Sequence, residues 1–222
     1  MSNYESAVVG WSFPFTIRYR MHTYRLFFFA FLLTSSLFVR AQSNNPVGGH
    51  FGVKIGGSLT RLNVSGTTLN TPKQALEPHI GVMYRYRLQR LVLQPEVLLA
   101  VKGGSFQVPR IGSTTRDTKN NQYYYVSVPV LLGYIPTEGL TLQAGPEFSY
   151  ALNAGTTNGP GSKNDLGLVV GVHYDFLDML DKFSLHIRYV YGFTNVSPEP
   201  LAVYKNRTLQ AAIVYNLYKK KN

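Results

Sequence analysis

An all-β fold is predicted for this sequence: an eight-stranded antiparallel up-and-down barrel that crosses a membrane, preceded by a cleaved signal peptide. Three observations lead there. Segment after segment alternates apolar and polar residues, as in Thr141–Ala151, where Leu142, Ala144, Pro146, Phe148 and Tyr150 share one parity and Thr141, Gln143, Gly145, Glu147 and Ser149 the other. Successive strand side chains point to opposite faces, so each such segment has one greasy wall and one wet wall. Long and short connections take turns between the segments. After Val39 no apolar run approaches the roughly 20 residues a helix needs to cross a bilayer, so any span must be made of strands.

Residues 26–39 form an uncharged apolar run, preceded by Arg18, Arg20, His22 and Arg25 and followed by Val39-Arg40-Ala41 before Gln42. A basic stretch, an apolar stretch and small residues at −3 and −1 describe a secretory signal peptide. The run is too short for an anchor. The expected division is therefore 1–41 signal peptide and 42–222 barrel domain. Residues 1–20 carry no pattern, and Met21 is itself a normal signal start, so an over-extended start is expected.

The barrel domain keeps 18 Lys and Arg against 10 Asp and Glu, and the whole chain has no cysteine. Disulfides and thiolate metal sites are excluded. The basic residues are dispersed and no nucleic-acid motif accompanies them, so no nucleic-acid partner is expected. A solvated or anionic-lipid-facing distribution accounts for the excess.

Period-two reading places the strands in order. The first, 51–59, sets Phe51, Val53, Ile55 and Leu59 against Lys54 and Ser58; the second, 79–88, sets Ile80, Val82, Tyr84, Tyr86 and Leu88 against His79, Met83, Arg85 and Arg87. The third, 91–102, opposes Leu93, Val97 and Leu99 to Gln94, Glu96 and Lys102. The fourth, 123–134, presents Tyr124, Val126, Val128, Val130, Leu132 and Tyr134, and the fifth is 141–151. The sixth, 165–176, opposes Leu166 to Phe176 on even positions to Asp165, Gly167, Gly171 and His173. The seventh, 183–193, opposes Phe183, Leu185, Ile187, Tyr189 and Tyr191 to Ser184, His186 and Arg188. The eighth, 207–218, opposes Leu209, Ile213 and Tyr215 to Thr208, Gln210 and Asn216.

Long links at 61–78, 103–122, 153–164 and 194–206 alternate with short ones at 89–90, 135–139 and 177–182. That is the pattern of bacterial outer-membrane barrels, with short periplasmic turns, long outer loops and both termini periplasmic. A soluble lipocalin-like ligand binder also has eight strands, but with an apolar lumen and polar exterior. Bulky apolar residues along one parity, aromatics near strand ends and Gly, Ser and Thr on the other parity favour the membrane form.

If the apolar parity faces lipid, Lys54, Arg85, Arg87, Glu96, Lys102, Glu147, Asp165, His173, His186 and Arg188 face the lumen as a polar network. Eight strands leave an interior just wide enough for side chains, and charges there must pair. The expected pairs are Glu96 with Lys102 or Arg85, and Glu147 with Arg188. A narrow channel for small solutes is the alternative; a passive diffusion pore is not expected, since water-filled porins use about 16 strands. No catalytic, cofactor or metal site is expected. Ser184, His186 and Glu147 are the residue types of a Ser-His-acid set, but Ser184 lacks a nucleophile context. His173, His186, Asp165 and Glu96 lack close ligand spacing. Asn63, Asn195 and Asn206 open glycosylation sequons, which carry little weight in a bacterial-type chain. Outer-membrane lipid is the expected environment, and other envelope proteins are the expected partners of the long loops, on which scaffolds commonly carry binding.

Several stretches resemble the Bacteroidetes outer-membrane barrel family that includes PorT-like proteins, often labelled porin family. They are Phe51-Gly-Val-Lys-Ile-Gly-Gly-Ser-Leu59, Leu93-Gln-Pro-Glu-Val-Leu-Leu-Ala-Val-Lys-Gly103, Tyr125-Val-Ser-Val-Pro-Val-Leu-Leu-Gly-Tyr134, Gly145-Pro146, Asp165-Leu-Gly-Leu168 and Arg188-Tyr-Val-Tyr-Gly-Phe-Thr-Asn195. The similarity spans roughly 49–218 and implies an outer-membrane barrel of the cell envelope, accessory to secretion or surface assembly, with no catalytic residue to carry over. The ending Lys219-Lys220-Lys221-Asn222 after Leu217-Tyr218 departs from a typical outer-membrane ending.

Overall fold

The structure, a computed structural model, describes residues 48–66, 71–110, 112, 115–176, 180 and 182–217. The expected signal peptide and the C-terminal lysines lie outside the described residues. Among the described residues nine strands form one antiparallel sheet: β1 (Gly48–Gly66), β2 (Thr71–Lys73), β3 (Ala75–Leu88), β4 (Leu91–Pro109), β5 (Arg116–Thr137), β6 (Leu140–Ala151), β7 (Asn164–Asp175), β8 (Phe183–Gly192) and β9 (Ala202–Leu217). The sheet runs β4-β3-β1-β9-β8-β7-β6-β5 and closes through β4–β5 pairing, with the short β2 alongside β4. β2 and β3 make one crossing. Thr71 opposes Gln107 and His79 opposes Ala100, so the register slips by one residue around Gln74, as at a β-bulge. Eight crossings therefore close the ring.

The register fixes the barrel's dimensions. From Gly49, the paired residues run Tyr86, Leu93, Leu132, Ala144, Val170, Tyr189, Leu209 and back onto β1 at Leu59. The circuit returns ten residues further along the strand. With a rise of about 3.3 Å per residue and strands about 4.8 Å apart, that stagger tilts the strands by roughly 40° and gives a backbone radius of about 8 Å. Such a bore is filled by side chains.

The two faces separate as alternation demands. Phe51, Val53, Ile55, Val82, Leu93, Leu132, Val170, Ile187 and Ile213 stand outward and exposed, while Lys54, Glu96, Glu147, Arg188 and His173 are buried inside. A soluble protein rarely exposes an apolar patch of more than a few hundred Å², and here the apolar surface wraps the whole barrel. Paired aromatics mark its lower edge, Phe51–Tyr84 at 4.9 Å, Phe183–Tyr215 at 5.3 Å and Tyr174–Phe176 at 5.6 Å between ring centroids, and Tyr191–Phe193 at 5.3 Å marks the upper one. Phe183 and Phe193 then lie about 25 Å apart along the axis, the height of an outer-membrane apolar band. This inside-out arrangement is the reverse of the lipocalin-like alternative.

At the end carrying the short links, Gln89 (φ 56°) takes the left-handed conformation at the first position of a two-residue turn, as turns that match strand twist require, and Gly139 (φ 83°) takes it at the second position of another. At the other end the expected loops need correction. Most of 61–78 and 103–122, and the end of 194–206, continue as strand, whereas 153–163 and 194–201 stay irregular. β4 and β5 pair continuously from Lys102–Tyr123 out to Pro109–Arg116. These stretches lack an apolar outward parity because their outer face stands at or above the rim of the apolar band, while their inner face still buries Leu62, Phe106 and Tyr204. Main-chain pairing, which needs no greasy wall, holds them as a ribbon.

Candidate functional site

The inward side chains form three tiers. At the turn end Arg85 donates from Nη1 to Gln94 Oε1 (3.0 Å) and from Nη2 to Thr141 Oγ1 (2.6 Å), and lies 3.5 Å from Asp175. Asp175 also meets His173 Nε2 at 3.0 Å and accepts from Ser184 Oγ at 2.6 Å, while Asn216 donates to Ser184 at 2.7 Å.

The middle tier centres on Glu96. Lys54 Nζ and Arg188 Nη1 each donate to its Oε2 at 2.9 Å, and Gln94 donates to Oε1 at 2.7 Å. Lys54 also lies 2.9 Å from His186 Nδ1, and Arg188 Nε donates to Gln210 at 2.6 Å. Glu147 accepts from Lys102 at 2.7 Å and lies 3.8 Å from Arg188 Nη2. Lone buried ions cost several kcal/mol each, about what breaking such a pair would cost. Two carboxylates shared among three cations keep every charge in contact with an opposite one.

The third tier, at the ribbon end, is apolar. Leu62, Phe106, Tyr123, Tyr125, Val196 and Tyr204 pack across the bore, with Phe106 and Tyr204 rings 5.4 Å apart. Asp165, held by Asn206 at 2.8 Å, lies at the inner edge of this layer.

Of the ten charged residues expected inside, nine are buried there. Arg87 instead sits at the turn-end rim, clasping Glu138 at 2.8 Å across the β3 and β5 ends. The Glu147–Arg188 contact forms, but Glu96 pairs with neither Lys102 nor Arg85. Lys102 is six residues further along β4, about 20 Å away, and the register sets Arg85 against Gln94. Ten residues of stagger bring Lys54 and Arg188 to Glu96 instead. Ser184, His186 and Glu147 are not assembled: Ser184 bonds to Asp175, His186 to Lys54 and Glu147 to Lys102. Among the described residues no cluster of His, Asp and Glu has the geometry to hold a metal ion.

Sequence reading missed Asp175, although it shares the parity of Asp165 and His173. It also missed the aromatic layer, because Phe106 and Tyr123 fall on the parity read as polar. The signal available for these was position alone: inward parity beyond the last charged residue.

A family model described as outer membrane protein beta-barrel domain matches residues 40–197. The chain belongs to that family, and is an outer-membrane β-barrel protein. No curated protein matches it. Among solved structures, the outer membrane protein OprG from Pseudomonas aeruginosa aligns at 12% identity with a TM-score of 0.51, covering 79% of this chain and 99% of OprG. Ail from Yersinia pestis in a phospholipid bilayer nanodisc aligns at 14% identity with a TM-score of 0.46, covering 77% of this chain and 100% of Ail. OprG supports the fold at this identity.

Proposed function

We propose that this protein is a non-enzymatic structural or interaction component of the outer membrane, accessory to a secretion or surface assembly. Its barrel serves as a rigid, closed scaffold for the β4–β5 ribbon and the neighbouring ends of β1 and β9. In this reading both termini are periplasmic and the ribbon stands outside the cell, where envelope proteins meet it. The observation that carries the reading is the filled bore. A charge network sits at mid-height, and an aromatic layer lies across the ribbon end, so the surface left for partners is the outer rim. The resemblance to PorT-like barrels supports an assembly role in the same direction.

Topology is tested with an epitope inserted at Gly112 and another fused after Asn222. The expected result is antibody labelling of the first on intact cells, and of the second only after permeabilisation. The reverse pattern would overturn the reading.

A further inference from the structure

We infer that the outer wall of β8, β9 and β1 carries a phosphate-binding site for a membrane lipid, formed by Arg61 and Arg207 at the upper edge of the apolar band. The inference rests on the barrel standing in lipid, not on the scaffold reading above.

The register makes the site. Arg207 on β9 directly opposes both Tyr191 on β8 and Arg61 on β1. All three odd-numbered positions point outward, so two arginines occupy neighbouring positions on the lipid-facing wall. Like charges directly opposed on one face destabilise a sheet unless something stands between them. Among the described residues no carboxylate lies within ion-pairing distance of either arginine. Arg207 is nonetheless held in place. Its Nη1 donates to the carbonyls of Gly192 (2.6 Å) and Asn206 (2.8 Å), and its guanidinium lies 3.4 Å from the Tyr191 ring centroid. Cation–π stacking on an aromatic face orients a guanidinium without neutralising it.

The surroundings specify the ligand's other half. Arg61, Arg207, Asn63, Gln74 and the two tyrosines Tyr189 and Tyr191 border an open recess of about 580 Å³. The next row down is Tyr189, Leu209, Leu59 and Leu76, and below it lie Leu185, Ile213, Ile55 and Ile80. A basic, hydrogen-bonding row therefore sits directly over an unbroken apolar wall. Arginine forks match phosphate oxygens bidentately, and the rows beneath accept acyl chains. A free anion would use the first feature and leave the second idle, so the occupant is a phosphate carried on a lipid.

The test is native mass spectrometry of the detergent-purified protein with dioleoyl phosphatidic acid. The expected result is one lipid retained per barrel, with retention reduced about tenfold or more in the Arg61→Gln, Arg207→Gln double variant, as loss of charge-assisted bonds implies. Dioleoylglycerol, which has the chains without the phosphate, should be retained as poorly as by that variant. Inorganic phosphate in equal amount should not displace the lipid. An Arg116→Gln, Lys119→Gln control removes the same charge from the ribbon and should bind as the parent does. Heat-modifiable migration of every variant verifies that the barrel is closed. Equal retention by parent and double variant, equal retention of dioleoylglycerol, displacement by inorganic phosphate, or an equal loss in the ribbon control would each overturn the inference.

Discussion

Glu96 is the residue on which the interior turns, because it anchors both Lys54 and Arg188. Replacing it with Gln keeps the shape and one acceptor but leaves two buried cations facing a neutral amide. Breaking a buried pair in this way costs about 3–5 kcal/mol, and the urea midpoint of the Glu96→Gln barrel, read by the loss of its folded gel band, should fall accordingly. An unchanged midpoint would mean the tier is wet enough to solvate its charges. Gly171 is constrained by the same hub. It pairs with Arg188, and a Cβ built there would stand 2.6 Å from Arg188 Cβ. Gly171→Val should therefore displace the Arg188 stem and reduce the fraction of protein reaching the folded form. Equal folding yield would show that Arg188 is not held by that close approach. Which residues face inward was legible from parity, since Lys54, Glu96 and His186 sit opposite apolar neighbours. Which of them meet was not, because partners such as Lys54 and Glu96 join only once the stagger around the ring is known.

At the scale of elements, strand centres were legible and strand ends were not. Ile80–Leu88 alternates because lipid and lumen flank it. Residues 103–109 and 116–122 do not, because beyond the membrane the solvent requirement for alternation disappears. The ribbon nevertheless has two parts. Its base holds Phe106, buried against Tyr204, whereas its tip carries exposed Asp117, Thr118 and Lys119. Replacing 108–117 by an Asn-Gly turn should leave the thermal midpoint of the barrel nearly unchanged. Phe106→Ala, which opens a cavity in the apolar tier, should cost about 3–5 kcal/mol. Equal effects from the two changes would contradict the division. At the opposite end, hydrogen bonding from Arg87 holds the Glu138 carboxyl below its ordinary range. A depressed carboxylate contributes its clasp above the unfolded pKa and loses it as pH falls through the folded one. NMR titration should find Glu138 below the usual glutamate value in the parent and near it in Arg87→Ala. No difference between the two would remove the clasp.

For the molecule as a whole, ten residues of stagger over eight crossings set a bore that the interior side chains fill. Closure leaves no sheet edge exposed to lipid, and the same closure stacks a charged tier beneath an aromatic one. The fold class and the apolar wall were written in the alternation and in the turn and loop lengths. The apolar layer at the ribbon end was not, because an inward Phe or Tyr breaks the rule by which the interior was recognised. Whether the proposed scaffold is closed to ions is decided by single-channel recording of the refolded protein in planar lipid bilayers. A filled bore should give a trace indistinguishable from protein-free bilayer, from protein whose heat-modifiable migration shows it folded. Discrete, reproducible conductance steps from the parent protein would contradict it and establish a continuous wet path through the bore.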